Sequence, residues 1–119
     1  MKLELGVHHV SLNVDDLEAS LAFYVDQLGL EVLPRPDFGF PGAWLRSGGQ
    51  EVHLMQVEDH VAPKGQHFAF RVTDLDGTLE ALQAQGIEVS KAFELPNGRQ
   101  AFLQDPAGNM LELNEPKTA

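Results

Sequence analysis

The sequence predicts an α+β fold made of two copies of a βαβββ module. The first observation is an internal repeat, in which the stretch from His9 matches the stretch from His67, 58 residues further along. The second is that each half carries one helix-period pattern among several strand-period patterns. A half of about 50 residues would be marginal alone, so the halves are expected to pack together or to pair with halves of another chain. The expected ranges are 1–119 for the single domain, about 6–57 and 66–115 for the modules, and 58–65 for a polar linker.

In the first module, the residue pattern predicts a strand, a helix and three further strands. Polar and apolar residues alternate over 7–14, which is typical of a strand with one buried face. Asp15 followed by Glu18 predicts the N-cap of a helix that ends at Gly29. The helix is expected to bury four residues at helical spacing: Leu17, Leu21, Tyr24 and Leu28. The remaining strands are expected at 30–33, 43–47 and 51–57.

The second module repeats this plan. Alternation over 67–72 predicts its first strand. Thr73 and Asp76 predict the N-cap of a helix that Gly86 ends. Three further strands are expected at about 87–93, 99–104 and 109–114. In each module the helix is expected to cover the apolar face of the sheet, which leaves the opposite face open.

Composition and charge exclude several classes of function. Eight Lys and Arg stand against 18 Asp and Glu, which gives a net charge of −10. Such a chain offers no basic stripe for nucleic acid and no attraction to an anionic membrane surface. Without cysteine there is no disulfide, thiolate zinc site or cysteine nucleophile. The sequence has no apolar stretch of spanning length and no signal-peptide pattern, so we expect a cytoplasmic protein.

Four potential metal ligands share the open face of the predicted sheets: His9, His53, His67 and Glu112. They lie at the start of each module's first strand and in the middle of its last strand, so the repeat makes them two equivalent pairs. Three imidazoles and one carboxylate around a common axis suit a divalent cation. The alternative is that the histidines serve packing, but a buried glutamate without a cation beside it would be unfavourable. His8, expected on the helix side, and His60, in the linker, are taken as incidental.

The same alternation predicts the residues that would contact a substrate. Five side chains on the open face flank the predicted ligands: Ser11, Asn13, Met55, Ala69 and Arg71. Arg71 is the strongest of them, because a guanidinium binds a carboxylate in bidentate fashion; the alternative is a salt bridge to one of the protein's own acids. The loop over 34–42 carries Phe38 and leads to Trp44, and these aromatic residues predict an apolar lid or, alternatively, a turn packed at a dimer interface.

Three motifs resemble the vicinal oxygen chelate superfamily, over about residues 6–115. They are H-x-x-L-x-V-x-D-L from His9, F-Y-x-x-x-L-G-L from Phe23 and D-P-x-G-N-x-L-E-L from Asp105. Members include glyoxalase I, methylmalonyl-CoA epimerase, and fosfomycin- and bleomycin-resistance proteins. The resemblance implies that the modules form a cupped, barrel-like mixed sheet around a metal, with the helices on its outer face. It also implies a homodimer whose sites take residues from one chain or from two.

The resemblance further implies a ligand set and a reaction. His9, His67 and Glu112 match the usual ligands, and His53 occupies the fourth position, which holds Glu in bacterial glyoxalase I. The implied cofactor is one divalent ion, with Zn²⁺, Ni²⁺, Co²⁺, Mn²⁺ and Fe²⁺ all left open. The implied activity is that of a glyoxalase-like lyase or isomerase, which chelates two adjacent oxygens of a small substrate and stabilises an enediolate-type intermediate. Glu112 would act as the base on leaving the metal, with Glu51 as a weaker candidate.

Two other functions remain open from the sequence. The first is a non-catalytic drug- or metabolite-binding protein of the bleomycin-resistance type, for which the −10 charge would suit cationic ligands. The second is an extradiol-type dioxygenase, which would use His9, His67 and Glu112 as an iron triad. His53 counts against the dioxygenase, because a fourth ligand would take a coordination position that oxygen or substrate needs. The intact set of four favours the lyase or isomerase over the binding protein.

Overall fold

Each half of the chain folds into a four-stranded mixed sheet with one helical segment. The computed structural model describes residues 1–117. The order of elements is βαβββ in both halves, so the predicted α+β class with two modules is confirmed. The chain divides into two compact units between His60 and Val61, a point that lies within the segment 58–65. No helix within the described residues is both long and apolar enough to span a membrane.

The first module is a sheet with the strand order β1-β4-β3-β2. Its strands are β1 (His9–Val14), β2 (Glu31–Leu33), β3 (Gly42–Ser47) and β4 (Gln50–Gln56). β1 runs parallel to β4, and the other neighbours are antiparallel. One face is lined by residues that lose nearly all solvent contact, including Val14, Leu45 and Leu54. The predicted alternation therefore holds, and the other face is left for polar side chains.

The helix of the first module is α1 (Leu17–Leu21), which continues as a π-helical segment over Ala22–Gln27. The wider turn allows two adjacent aromatic residues, Phe23 and Tyr24, to be buried together, with ring centroids 5.0 Å apart. A strict 3.6-residue period does not anticipate this arrangement. The N-cap is Asp16, whose Oδ1 accepts from the Ala19 amide at 3.1 Å, so the prediction of Asp15 was wrong by one residue.

The second module has the equivalent order, β5-β8-β7-β6. Its strands are β5 (His67–Arg71), β6 (Phe93–Leu95), β7 (Gly98–Gln104) and β8 (Met110–Pro116), and its helix is α2 (Leu75–Ala84). The N-cap is Asp74 rather than Thr73. The expected strand at 87–93 was wrong over most of its length. There the chain is held by Ser90, whose amide donates to the Phe102 carbonyl and whose hydroxyl accepts from the Phe102 amide, each at 2.9 Å.

Both modules use the same contact to fix the helix on the sheet. The amide of Leu17 donates to the Gln56 side chain at 2.9 Å, and the amide of Leu75 donates to the Glu115 side chain at 2.7 Å. In each case a residue near the end of the module's last strand binds the first amide of the helix, which has no partner within the helix. The repeat seen in the sequence is thus preserved in the hydrogen bonds that set the position of each helix.

The D-P-x-G-N motif forms the connection between β7 and β8. The buried carboxylate of Asp105 accepts from the amides of Ala107 and Asn109 at 2.9 and 2.8 Å, and from the Asn109 side chain at 2.9 Å. Gly108 adopts a φ of 83°, which a residue with a Cβ rarely does. These contacts fix where β8 begins. They therefore determine which face of the sheet receives Glu112.

Candidate metal centre

The first module brings His9 and His53 together as a stacked pair. Their ring centroids are 3.9 Å apart, and the ring planes differ by 13°. Trp44 lies opposite His53 in the β3–β4 ladder and stacks on it with a centroid distance of 4.5 Å. Because β1 and β3 flank β4 on opposite sides, the imidazole of His53 lies between the other two rings. His53 is only 9% exposed, so this stack holds the imidazole in a fixed plane.

Glu51 connects these imidazoles through its carboxylate. His53 Nε2 lies 2.9 Å from Glu51 Oε1, a hydrogen bond that lowers the pKa of Glu51. His8 Nε2 lies 4.0 Å from the other carboxylate oxygen, and His8 Nδ1 lies 2.9 Å from His9 Nδ1. The pKa of His9 is lowered, first by loss of hydration and then by the neighbouring imidazoles. The expectation that His8 faces the helix was wrong, because β1 begins at His9 and the alternation does not extend to His8.

An open cleft of about 650 Å³ lies on this face of the first module. The residues that give it its chemical character are His9, His53, Trp44, Leu33, Glu51 and Arg46. It therefore combines imidazole nitrogens, an aromatic and aliphatic wall, and one charged group of each sign. A small molecule with both polar and apolar parts would match this surface.

The second module brings His67 and Glu112 together. His67 Nε2 lies 3.1 Å from Glu112 Oε1, and His67 Nδ1 donates to the carbonyl of Gly65 at 2.8 Å. The Gly65 carbonyl and then Glu112 raise the pKa of His67. Glu112 is only 9% exposed, and its Oε2 accepts from the side-chain amide of Asn114 at 3.0 Å. The ring edge of His67 contacts Phe102, with the centroids 5.5 Å apart.

The hydrogen bond to Gly65 matters for metal chemistry. Nδ1 of His67 must carry a proton in order to donate to a carbonyl, so Nε2 is the nitrogen directed at Glu112. Metal-binding histidines commonly donate their other ring nitrogen to a carbonyl or carboxylate in this way. Asn114 fixes one oxygen of Glu112 and leaves the other on the side of His67.

The predicted donors thus form two pairs, one in each module. Among residues 1–117, no three His, Asp or Glu side chains gather in an arrangement that could hold a metal ion. His9 with His53 and His67 with Glu112 each lie on the sheet face opposite the aliphatic core, as the alternation predicts. A single site made of all four residues stays a prediction.

The predicted substrate-contacting residues of the first module fall beside its donor pair. Ser11 lies opposite His53 in the ladder, and Asn13 lies opposite Met55. Phe38 is about half exposed and lies 6.0 Å from Trp44, so the loop does approach the stack of rings. This loop is braced by Arg35, whose guanidinium lies over the rings of Phe38 and Phe40 at 4.9 and 5.0 Å. In the second module, Arg71 is exposed and lies opposite Asn114.

Sequence reasoning missed three residues that shape these surfaces: Phe102, Asn114 and Arg46. Phe102 lies 58 residues after Trp44 and occupies the equivalent place beside the last strand, so the repeat contained the signal for it. Asn114 lies two residues after Glu112 on the same strand face, where alternation could have found it. Arg46 lies two residues after Trp44 on β3, so the same alternation could have placed it on this face.

The duplicated βαβββ module is the architecture of the two-module glyoxalase fold. A family model described as the Glyoxalase/Bleomycin resistance protein/Dioxygenase superfamily matches residues 6–113. The chain therefore belongs to this superfamily. Its members include lyases and glutathione transferases, and an antibiotic binding protein is among the structures similar to this chain.

The individual proteins similar to this chain include an enzyme and an antibiotic binding protein. A lactoylglutathione lyase from Haemophilus influenzae is 30% identical over 96% of this chain and 95% of its own. The solved structure of a protein assigned to the glyoxalase family from Bacillus anthracis is 32% identical, with a TM-score of 0.87 over 94% of this chain and 95% of that one. TnmS3, an antibiotic binding protein from Streptomyces sp. CB03234, is 27% identical, with a TM-score of 0.81 over 98% of this chain and 100% of that one.

Proposed function

We propose that this protein is a divalent-metal-dependent lyase or isomerase of the glyoxalase type, acting on a small substrate with two adjacent oxygens. One observation carries the proposal. Each module pairs a donor from its first strand with a donor from its last strand at equivalent positions of the repeat. Packing of the sheets alone does not require a pair of potential metal ligands at the same place in both modules.

The donor residues suit a divalent ion in chemistry and in orientation. The Gly65 carbonyl holds the ring of His67 with Nε2 on the side of Glu112, and Asn114 holds the carboxylate of Glu112. In the first module, the stack with Trp44 fixes the ring plane of His53. Each pair supplies two donors, so a four-ligand shell requires both pairs. We propose that they come together within one chain or between the two chains of a homodimer.

The proposed reaction depends on the positive charge of the metal ion. A divalent ion held by His9, His53, His67 and Glu112 would polarise a carbonyl oxygen and stabilise negative charge spread over two adjacent oxygens. On leaving the metal, Glu112 would accept a proton from the carbon beside that carbonyl and return it to the neighbouring carbon. Its low exposure keeps water away from the carboxylate, and the Asn114 amide holds Oε2, so the released Oε1 would take the proton.

Metal stoichiometry tests the proposal directly. The protein is reconstituted separately with Zn²⁺, Ni²⁺, Co²⁺, Mn²⁺ and Fe²⁺, and bound metal is measured after desalting. We expect one ion per chain for at least one of them, and loss of binding in His9→Ala and His67→Ala. His60→Ala is the matched control, because His60 lies outside both donor pairs, whereas His8 contacts His9. Stoichiometry far below one for every metal would overturn the proposal.

A second candidate function is metal-free sequestration of a small molecule. The similarity to TnmS3 over the full length of both chains favours it, and a net charge of −10 suits cationic ligands. The two candidates differ in one measurable respect. Sequestration requires ligand binding that survives chelator treatment, while the enzyme would lose its affinity for vicinal-oxygen ligands together with its metal.

A further inference from the structure

Two neighbouring rows of residues run across the strands on the open face of the first module's sheet. Residues directly opposite each other in a ladder share a face and lie side by side. The first row contains His9, Glu51, Arg46 and Glu31. The second row contains Ser11, His53, Trp44 and Leu33. The first row thus alternates basic and acidic groups, and the second joins an imidazole to an apolar surface.

The cleft on this face is lined by members of both rows. Among the described residues that line it, Arg46 is the one whose positive charge is permanent. Trp44 and Leu33 supply the neighbouring apolar wall. A molecule whose oxygens reach His9 and His53 would therefore meet an apolar surface and then a guanidinium.

The present partner of Arg46 leaves its charge accessible. Arg46 Nε lies 3.5 Å from Glu31 Oε2, and the two side chains are 52% and 72% exposed. An exposed pair of this kind contributes little free energy, so a carboxylate from a ligand can replace Glu31. The other acidic neighbour, Glu51, is engaged by His53 at 2.9 Å.

We propose that Arg46 binds a carboxylate of the substrate, and that the substrates are small carboxylates with an oxygen pair at one end and an apolar middle. The inference rests on the proposed function, which supplies the binding of the oxygen pair beside His53. Arg46 and Trp44 are two residues apart along β3, which separates them by about 7 Å. The carboxylate and the oxygen pair should therefore lie about one aromatic ring apart. Arg46 lies on the module that carries His53, whereas Arg71, the anion-binding residue predicted from the sequence, lies on the other module.

Two hydroxamates test the inference, because a hydroxamate presents two adjacent oxygens to a metal. Benzohydroxamate supplies the oxygen pair and the apolar ring, and 4-carboxybenzohydroxamate adds a carboxylate at the far end of the ring. Binding to the Zn²⁺-loaded protein is followed through the fluorescence of Trp44, the single tryptophan of the chain, and by calorimetry. We expect the carboxylated probe to bind about tenfold more tightly than benzohydroxamate.

Four variants identify the residue responsible. Arg46→Gln should abolish the preference for the carboxylated probe and leave the affinity for benzohydroxamate unchanged, while Arg46→Lys should retain part of the preference. Lys91→Gln is the control, because it changes the net charge equally and Lys91 lies over Phe93 in the other module. Glu31→Gln removes the competing carboxylate and should tighten binding of the carboxylated probe by about two- to fivefold.

The outcomes separate this inference from the proposed function. If neither the metal nor benzohydroxamate binds, the proposed function fails and the inference falls with it. If both bind but the carboxylated probe has no advantage, the inference alone is overturned. It is equally overturned if Arg46→Gln keeps the full preference, or if Lys91→Gln loses it.

Discussion

The imidazole of His53 lies parallel to the indole of Trp44, with their ring centroids 4.5 Å apart and their planes 11° apart. The opposite face of His53 is covered by His9. A proposed metal ligand is therefore in van der Waals contact with the single tryptophan of the chain. The emission of Trp44 reports on the chemical state of the neighbouring imidazole.

This contact predicts that metal binding changes tryptophan fluorescence in a metal-dependent way. Ni²⁺ or Co²⁺ bound at His53 should strongly quench Trp44, because an open-shell ion would lie within a few ångströms of the indole. Zn²⁺ has a filled d shell and should occupy the same site with little quenching. Titration with Ni²⁺ measures the quenching of Trp44, and subsequent competition with Zn²⁺ should restore the emission if the two ions share the site. Quenching that persists in His53→Ala would show that the ion binds elsewhere.

Asn114 is expected to control metal affinity without contacting the metal. Its side-chain amide fixes Glu112 Oε2, so Asn114→Ala should allow the carboxylate to rotate and weaken metal binding by about 10- to 100-fold. The melting temperature of the metal-free protein should change little, since Asn114 is not part of the aliphatic core. Gln83→Ala on the exposed face of α2 is the control. Unchanged metal affinity in Asn114→Ala would argue against Glu112 as a ligand.

The parts of the fold that sequence predicted well are those governed by periodicity. Alternation in β1 and β4 put His9 and His53 on one face, and the repeat found their equivalents, His67 and Glu112. Periodicity does not determine the residue at which an element begins. Both helix caps lie one residue later than expected, at Asp16 and Asp74. Each cap is the last residue with a non-helical backbone before its helix, and two polar residues competed for that position.

Side-chain partners were harder to predict, because they depend on register between strands that are distant in sequence. Alternation along β3 puts Arg46 on the face of Trp44, but its place beside Glu51 follows only from the β3–β4 ladder. His8 was assigned to the wrong side because the ladder stops at His9. The buried pairing of Phe23 with Tyr24 needed a π-helical turn, which a regular helix period excludes.

Asp76 is expected to make stability depend on pH in the acid range. Arg99 donates to both Asp76 oxygens, at 2.8 and 3.1 Å, and lowers the pKa of Asp76 below its ordinary value of 3.8. A lowered folded-state pKa contributes stability above the unfolded pKa, and that contribution is lost as the pH falls through the folded value. Asp76→Asn should therefore be less stable than the parent at pH 7, and the difference should shrink below pH 3.8. Urea unfolding of both proteins between pH 2 and 7 measures this difference in stability. A difference that is constant with pH would show that the Arg99–Asp76 pair does not cause it.

Gly98 occupies a backbone position that no other residue should fill. Its φ is 154°, and a Cβ at this position would collide with the carbonyl oxygen of Glu115 and with the Cα of Pro116 on the neighbouring strand β8. Gly98→Ala should therefore lower the free energy of unfolding by about 1–3 kcal/mol. Gly49→Ala is the matched control, because a Cβ there meets open space and the backbone has no left-handed φ. Thermal and urea unfolding of both variants test the prediction. Equal stability of the two variants would show that the first residue of β7 can accommodate a side chain.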